Sequence, residues 1–111
     1  MNLKNNLFNI IFGVLTLLIT ILFYEKILLV AILLLALAVI ALIKWNSKVT
    51  LLVFIFGAIF GTIAEIISIR FGLWSYSITS IFEVPYWLFV VWGNAAIFIY
   101  HLALGFRRNL R

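Results

Sequence analysis

The sequence predicts an all-α membrane protein that crosses the bilayer four times and keeps both termini in the cytoplasm. Three observations carry this prediction. The chain has 111 residues, of which 68% are hydrophobic and 10% charged, with a mean hydropathy of +1.33, and a soluble domain of this length could not bury so much apolar surface. Four apolar stretches follow one another along the chain, and the basic residues gather on one side of them.

Each apolar stretch is close to the ~20 residues that a helix needs to cross ~30 Å of hydrocarbon. The predicted transmembrane helices of this single domain cover about residues 7–23, 27–43, 49–69 and 86–104. Residues 24–26 and 44–48 are short connections, so we expect tight hairpins between the first three helices. The remaining connection, residues 70–85, is the one long loop, and it is predicted to lie on the outer side of the membrane.

The basic residues set the predicted orientation. One side of the four helices carries Lys4, Lys44, Lys48, Arg107, Arg108 and Arg111, and the other side carries Lys26 and Arg70. Cytoplasmic loops carry an excess of Lys and Arg, so this bias predicts cytoplasmic termini in a multi-pass protein of the cell's inner (plasma) membrane. Because these residues lie at helix ends and not on one soluble face, we expect contacts with membrane lipids and no nucleic-acid partner.

The first two helices differ in their polar content. Asn9, Gly13, Thr16 and Thr20 lie three or four residues apart and so form one stripe on the first helix. Small and polar residues face other helices in membranes, which predicts that this stripe is an interface. The second helix has no polar residue within 27–43, so we expect it to be the outermost helix, packed by its alanines on one side and facing lipid on the other.

The third and fourth helices each carry a polar stripe as well. The third presents Gly57, Gly61, Glu65 and Ser68, and the fourth presents Trp87, Asn94 and His101. With a rise of ~1.5 Å per residue, Glu65, Asn94 and Thr20 reach similar depths in the outer half of the membrane. The sequence therefore predicts a cluster of these three side chains, with His101 lower, near the cytoplasmic interface.

Glu65 is the strongest functional signal, because a carboxylate at bilayer depth costs roughly 2.5 kcal/mol or more unless it is paired, protonated or facing water. Two interpretations stay open. In the structural one, a protonated Glu65 is hydrogen-bonded to Asn94 or Ser68 and holds two helices together. In the functional one, it is a proton donor or acceptor in a dry site.

Other chemistries find less support. The chain has no cysteine, which excludes thiol chemistry and disulfides. Glu65, Glu83 and His101 are predicted at different heights, so we expect no metal site. The lone His101 near the end of its helix is interpreted as an interfacial hydrogen-bonding residue, with catalysis as the alternative.

A longer pattern supports the functional interpretation of Glu65. Its parts are Gly61, Glu65, Gly72-Leu73-Trp74-Ser75-Tyr76, Val84-Pro85-Tyr86-Trp87-Leu88 and Trp92-Gly93-Asn94. The pattern G…E…GxWxY…VPxWL…WG, within residues 57–94, resembles that of a family of small prokaryotic four-helix membrane proteins. It also distantly resembles the membrane-bound carotenoid and terpenoid cyclases.

The cyclase resemblance implies a cofactor-independent, acid-catalysed conversion of an isoprenoid-like lipid. Such a reaction needs one neutral carboxylic acid and aromatic faces that stabilise a carbocation. The resemblance assigns Glu65 as the acid and Asn94 as the residue that orients it. The substrate-binding residues would be Trp74, Tyr76, Trp87 and Trp92, with Thr20 added from the depth argument.

Two other functions remain open. The chain resembles the small multidrug exporters in length, helix number and the possession of one embedded glutamate, which implies proton-coupled transport; here the glutamate lies on the third helix and not the first. The third possibility is a structural or assembly subunit of a membrane complex. Because so small a bundle encloses little volume, we expect a homo-oligomer or a partner membrane subunit, and a lipophilic small molecule as ligand.

Overall fold

Four long helices make up the described part of the chain. The computed structural model describes residues 3–76, 79 and 84–109. Helix α1 covers Leu3–Phe23, α2 covers Ile27–Trp45, α3 covers Lys48–Arg70 and α4 covers Trp87–Asn109. Each helix contains a segment that is long and apolar enough to cross a membrane. The predicted all-α fold with four membrane-spanning helices is therefore confirmed.

The helices extend beyond the apolar stretches at several ends. Helix α1 already begins at Leu3, and α4 continues to Asn109, because polar residues such as Lys4 and Asn5 continue a helix although they lower its hydropathy. Between α2 and α3 the chain reverses in two residues. Asn46 adopts the left-handed conformation (φ 46°) and ends α2, and the Ser47 hydroxyl accepts a hydrogen bond from the Thr50 amide at 3.2 Å and begins α3.

Helix α4 is the centre of the bundle. It contacts α1, α2 and α3, whereas α3 packs almost entirely on α4 and does not contact α1 along the described residues. The expectation that α2 is the outermost helix is wrong, since α2 packs on both α1 and α4 and α3 is the peripheral helix. A stripe of apolar residues gives α2 this contact without any polar group; its buried members are Val30, Leu34, Ala38 and Ala41.

Glycines allow α3 and α4 to approach closely. A Cβ added at Gly57 would overlap the Ala96 side chain and lie 3.0 Å from the Trp92 carbonyl oxygen. A Cβ at Gly61 would overlap the Trp92 indole itself, and one at Gly93 would overlap the Phe54 ring. Each glycine of the contact therefore leaves room for a specific neighbour, and Gly61 leaves room for the Trp92 indole.

We expect the substitution Gly61→Ala to destabilise the bundle by about 1–3 kcal/mol, because the new methyl group overlaps the Trp92 ring. The measurement is the free energy of unfolding in detergent micelles. Ala64→Val adds methyl groups at an exposed position of the same helix and should change that free energy by no more than about 0.5 kcal/mol. Equal effects of the two substitutions would contradict the close contact.

Candidate functional site

Glu65 lies among side chains from three segments of the chain. It accepts a hydrogen bond at Oε1 from the Tyr76 hydroxyl, at 2.5 Å, and a second one at Oε2 from the Trp92 indole N–H. Glu65 belongs to α3, Tyr76 to the connection after α3, and Trp92 to α4. We call these three residues the Glu65 centre. The carboxylate is only partly buried.

The end of α3 brings Tyr76 back onto the helix. The Leu73 amide donates to the Ser68 carbonyl and the Gly72 amide donates to the Ile69 carbonyl, both at 3.0 Å, which is the hydrogen-bond pattern of a Schellman motif. Gly72 takes the left-handed conformation that this motif requires (φ 83°). The chain therefore reverses at Gly72, and a tyrosine eleven residues beyond Glu65 reaches the carboxylate.

The chemistry of the Glu65 centre follows from what its donors can do. An indole N–H only donates, whereas a phenol both donates and accepts. Oε2 therefore accepts from Trp92 in every protonation state of Glu65. If a proton binds at Oε1, the carboxyl O–H can donate to the Tyr76 oxygen and the phenol O–H turns away. Glu65 can thus gain or lose a proton while both of its contacts persist.

Tyr76 itself stays protonated. Burial of its side chain, together with the hydrogen bond to Glu65 and the negative charge of that carboxylate, raises the pKa of the Tyr76 phenol well above its ordinary value of 10.0. Trp87 packs edge-on against the Tyr76 ring, with centroids 6.3 Å apart and an angle of 89°. Tyr76 is therefore fixed from two sides as a neutral hydrogen-bonding partner of Glu65.

The four predicted aromatic residues separate into two groups. Tyr76 and Trp92 contact Glu65 directly, and Trp87 is buried against Tyr76. Trp74 is 47% exposed, so it stands at the surface of the connection between α3 and α4. Glu83, the other acidic residue of the long loop, lies outside the described residues.

Asn94 does not belong to the Glu65 centre, and the prediction that it orients Glu65 is wrong. Its Nδ2 donates to the Thr16 hydroxyl at 3.3 Å and to the Leu34 carbonyl oxygen at 3.4 Å. These partners belong to α1 and α2, whereas Trp92 of the same helix reaches α3. Two residues along a helix turn the side chain by about 200°, so Asn94 and Trp92 point to different neighbours.

The predicted cluster of Glu65, Asn94 and Thr20 is therefore not formed. Thr20 donates its hydroxyl proton to the Thr16 carbonyl at 2.8 Å, a bond within its own helix. The hydrogen bond between Glu65 and Ser68 is not formed either, because the two Glu65 oxygens accept from Tyr76 and Trp92 and the Ser68 hydroxyl donates to the Ala64 carbonyl at 2.9 Å. The rise per residue predicted that Glu65, Asn94 and Thr20 lie at similar depths. It did not predict on which side of α4 each of them lies.

Asn94 and Thr20 instead line a cavity of about 350 Å³ between α1 and α4, which we call the α1–α4 cleft. Its lining residues are Gly13, Val14, Thr16, Leu17, Thr20, Val91, Asn94, Ala95 and Phe98. Val14 and Leu17 are exposed, so the cleft opens on the outer surface of the bundle. Thr16 was not among the predicted site residues, although its place on the polar stripe of the first helix was a usable signal.

His101 is buried between helices, beside the end of α2 and the start of α3. It is 6% exposed, and its Nε2 lies 3.0 Å from the hydroxyl oxygen of the fully buried Thr50. Its ring stacks on Trp45, with centroids 3.7 Å apart and 9° between the planes. The fourth helix thus joins α2 and α3 through one imidazole, and this contact accounts for His101 as a packing residue.

Among the described residues, no group of three or more His, Cys, Asp or Glu side chains is placed to hold a metal ion. Comparison of the chain with protein-family models, curated proteins and solved structures gave no match. The geometry of the Glu65 centre and of the α1–α4 cleft therefore provides the basis for functional inference.

We expect Trp92→Phe to weaken the bundle by about 1–3 kcal/mol, because it removes the indole donor of Glu65 and leaves a partly buried carboxylate oxygen without that partner. The free energy of unfolding in micelles measures the effect. Trp74→Phe, at the exposed indole of the connection between α3 and α4, is the matched control and should change this free energy by no more than about 0.5 kcal/mol.

Ionisation of Tyr76 provides a pH test. Because its folded-state pKa is raised above 10.0, the stability that Tyr76 contributes is fully present below about pH 10 and is lost as the pH rises further. We expect the phenolate absorbance of the wild type and of Tyr76→Phe to coincide up to about pH 11, where an ordinary phenol is mostly ionised. A difference between the two that appears near pH 10 would contradict the burial of this hydroxyl.

Proposed function

We propose that the protein binds an isoprenoid-like or similar lipophilic ligand within the membrane, and that the ligand occupies the α1–α4 cleft. The volume of about 350 Å³ supports this proposal, since small-molecule sites span ~300–1,000 Å³ and a site at the lower end accommodates one hydrocarbon chain. The lining is apolar apart from two threonines and one asparagine. A lipid already dissolved in the bilayer can enter between α1 and α4, beside the exposed Val14 and Leu17, without crossing water.

An acid-catalysed conversion of the ligand is the finer form of this proposal. Glu65 would be the proton donor, and the faces of Trp92 and Trp87 would stabilise a carbocation. Because Glu65 is reached from α4 through Trp92 and not through the cleft residues, the reacting double bond would have to lie on the α3 side of α4. Binding is therefore the part of the function that the geometry supports best.

Proton-coupled transport is the second candidate. The observation that favours it is that Tyr76 and Trp92, both neutral, donate hydrogen bonds to Glu65. The carboxylate can therefore take up a proton while both contacts persist. Intramembrane carboxylates are typical of proton relays. In this alternative the proton bound at Glu65 would exchange with a cationic substrate.

We place the protein, as part of the same proposal, in the plasma membrane with both termini in the cytoplasm. The excess of basic residues at one end of the four helices supports this orientation.

A homo-oligomer or a partner subunit is consistent with the wide exposed apolar face of α3, which includes Ile55, Phe56, Ile59 and Phe60. A structural subunit without a ligand would be the outcome if no lipid is found.

The test of binding is the lipid that copurifies from membranes, identified by mass spectrometry. Ala95→Leu places a larger side chain in the cleft and should reduce the copurifying ligand at least about tenfold, a difference of ~1.4 kcal/mol in affinity. Ala36→Leu makes the same change at an exposed position of α2 and should leave the ligand unchanged. Equal ligand in both variants would contradict the assignment of the cleft.

Glu65→Gln separates the candidates. An acid-catalysed reaction predicts that the product disappears while the substrate still copurifies with the variant. Transport predicts that proton-coupled uptake into proteoliposomes disappears. If neither activity changes and a partner protein is lost from the complex, the structural role is supported instead.

A further inference from the structure

A second cavity lies between the same two helices, nearer to the start of α1 and the end of α4. It has a volume of about 270 Å³, and its lining residues are Asn6, Asn9, Ile10, Leu102, Gly105 and Phe106. We call it the Asn9 cavity. Asn9 and Gly13, which line the two cavities, are four residues apart on α1, or about 6 Å along the helix. The two cavities therefore follow one another along the contact of α1 and α4, and we call the two together the groove; the Phe98 ring packs against Gly13 where they meet.

The side chain of Asn9 has an acceptor without a donor. Its Nδ2 donates to the Phe98 carbonyl oxygen at 3.0 Å. A carbonyl oxygen can only accept, so the nitrogen of the amide must face it and the orientation of the amide is fixed. Asn9 is 1% exposed, and its Oδ1 has no hydrogen-bond partner. An unpaired carbonyl oxygen at such a depth is unfavourable, and a ligand that brings an O–H donor would satisfy it.

The charge around the Asn9 cavity is positive. Lys4 lies two residues before Asn6, and Arg107 lies two residues after Gly105; both side chains are exposed. Neither α1 nor α4 contains an Asp or Glu. Basic residues at the end of a membrane helix attract anionic lipid headgroups.

Resting on the function proposed above, we infer that the groove binds a single-chain lipid phosphate monoester. Its chain lies in the α1–α4 cleft and its phosphate lies in the Asn9 cavity. A phosphate monoester fits both observations, because near neutral pH one of its oxygens still carries a proton in part of the population. That hydroxyl donates to Asn9 Oδ1, and the remaining oxygens face Lys4 and Arg107.

The positions of the two cavities along α1 match the two parts of such a ligand, its apolar chain and its phosphate. The apolar cleft lies at the middle of α1, beside Gly13, Thr16 and Thr20. The cavity with two asparagines lies at its end, where a headgroup reaches water and the basic residues. A plain hydrocarbon would fill the first cavity and leave the second without a partner for Asn9.

The experiment titrates three probes into the full-length protein in nanodiscs of zwitterionic phosphatidylcholine, by calorimetry. The probes are farnesyl monophosphate, farnesol and inorganic phosphate. We expect farnesyl monophosphate to bind at least about tenfold more tightly than farnesol, and inorganic phosphate to bind more weakly than either. Higher salt should weaken the binding of the phosphate ester and not that of farnesol.

Two sets of variants test the headgroup contacts. Asn9→Leu, and independently Asn6→Ala in case the first variant folds poorly, should lower the affinity for farnesyl monophosphate to about that for farnesol. Lys4→Gln combined with Arg107→Gln should remove the salt dependence of farnesyl monophosphate binding. Lys26→Gln, at the opposite end of α1, is the charge-matched control and should leave it unchanged.

The failure of this inference differs from the failure of the proposed function. If farnesol and farnesyl monophosphate bind equally and the Asn9 and Asn6 variants change neither affinity, the headgroup site is overturned and the lipophilic cleft stands. If neither lipid binds the wild type, both are overturned. A disulfide between two copies carrying Ile10→Cys, in a chain that has no other cysteine, would show a second copy on the groove and would also overturn the inference.

Discussion

The contact of Trp92 with α3 is the interaction on which the rest of the site depends. Gly61 has no Cβ, so the indole of Trp92 lies directly across the third helix. From that position its N–H reaches Glu65, and Glu65 in turn holds the hydroxyl of Tyr76. The absence of one methyl group at Gly61 therefore links the packing of α3 and α4 to the position of the Glu65 carboxylate and of Tyr76 in the connection after α3. In a bilayer, where hydrocarbon offers no hydrogen bonds, such a contact is also what makes the carboxylate tolerable.

Helix α4 separates two kinds of chemistry. Toward α3 it presents the indole of Trp92 to a group that can carry a proton. Toward α1 it presents Asn94, Ala95 and Phe98 to a cleft that suits a hydrocarbon chain. A central helix has enough faces to do both, because successive residues are turned by about 100°. A coupled function, in which protonation at Glu65 changes binding in the cleft, would have to pass through α4 itself.

The candidate site was predicted in part. Glu65 was identified as a carboxylate within an apolar helix, and Tyr76 and Trp92 were identified from the cyclase resemblance; the structure brings these three together. Asn94 and Thr20 were assigned to them because a rise of ~1.5 Å per residue gives depth well. Depth does not give the side of a central helix on which a residue lies, since that side depends on which helices pack around it. Asn94, Thr16 and Thr20 line the α1–α4 cleft for the same reason.

The sequence by itself determined the number of helices, their approximate limits and the presence of one carboxylate at membrane depth, because hydropathy and length are local properties of the chain. Only the tertiary structure decided that α4 is central and α3 peripheral, that Tyr76 turns back onto Glu65 through the left-handed Gly72, and that His101 is buried against Thr50. These features depend on contacts between residues far apart in the chain. In a uniformly apolar sequence, small residues and hydrogen bonds determine which helices pack together, because hydrophobicity is nearly the same on every helix face.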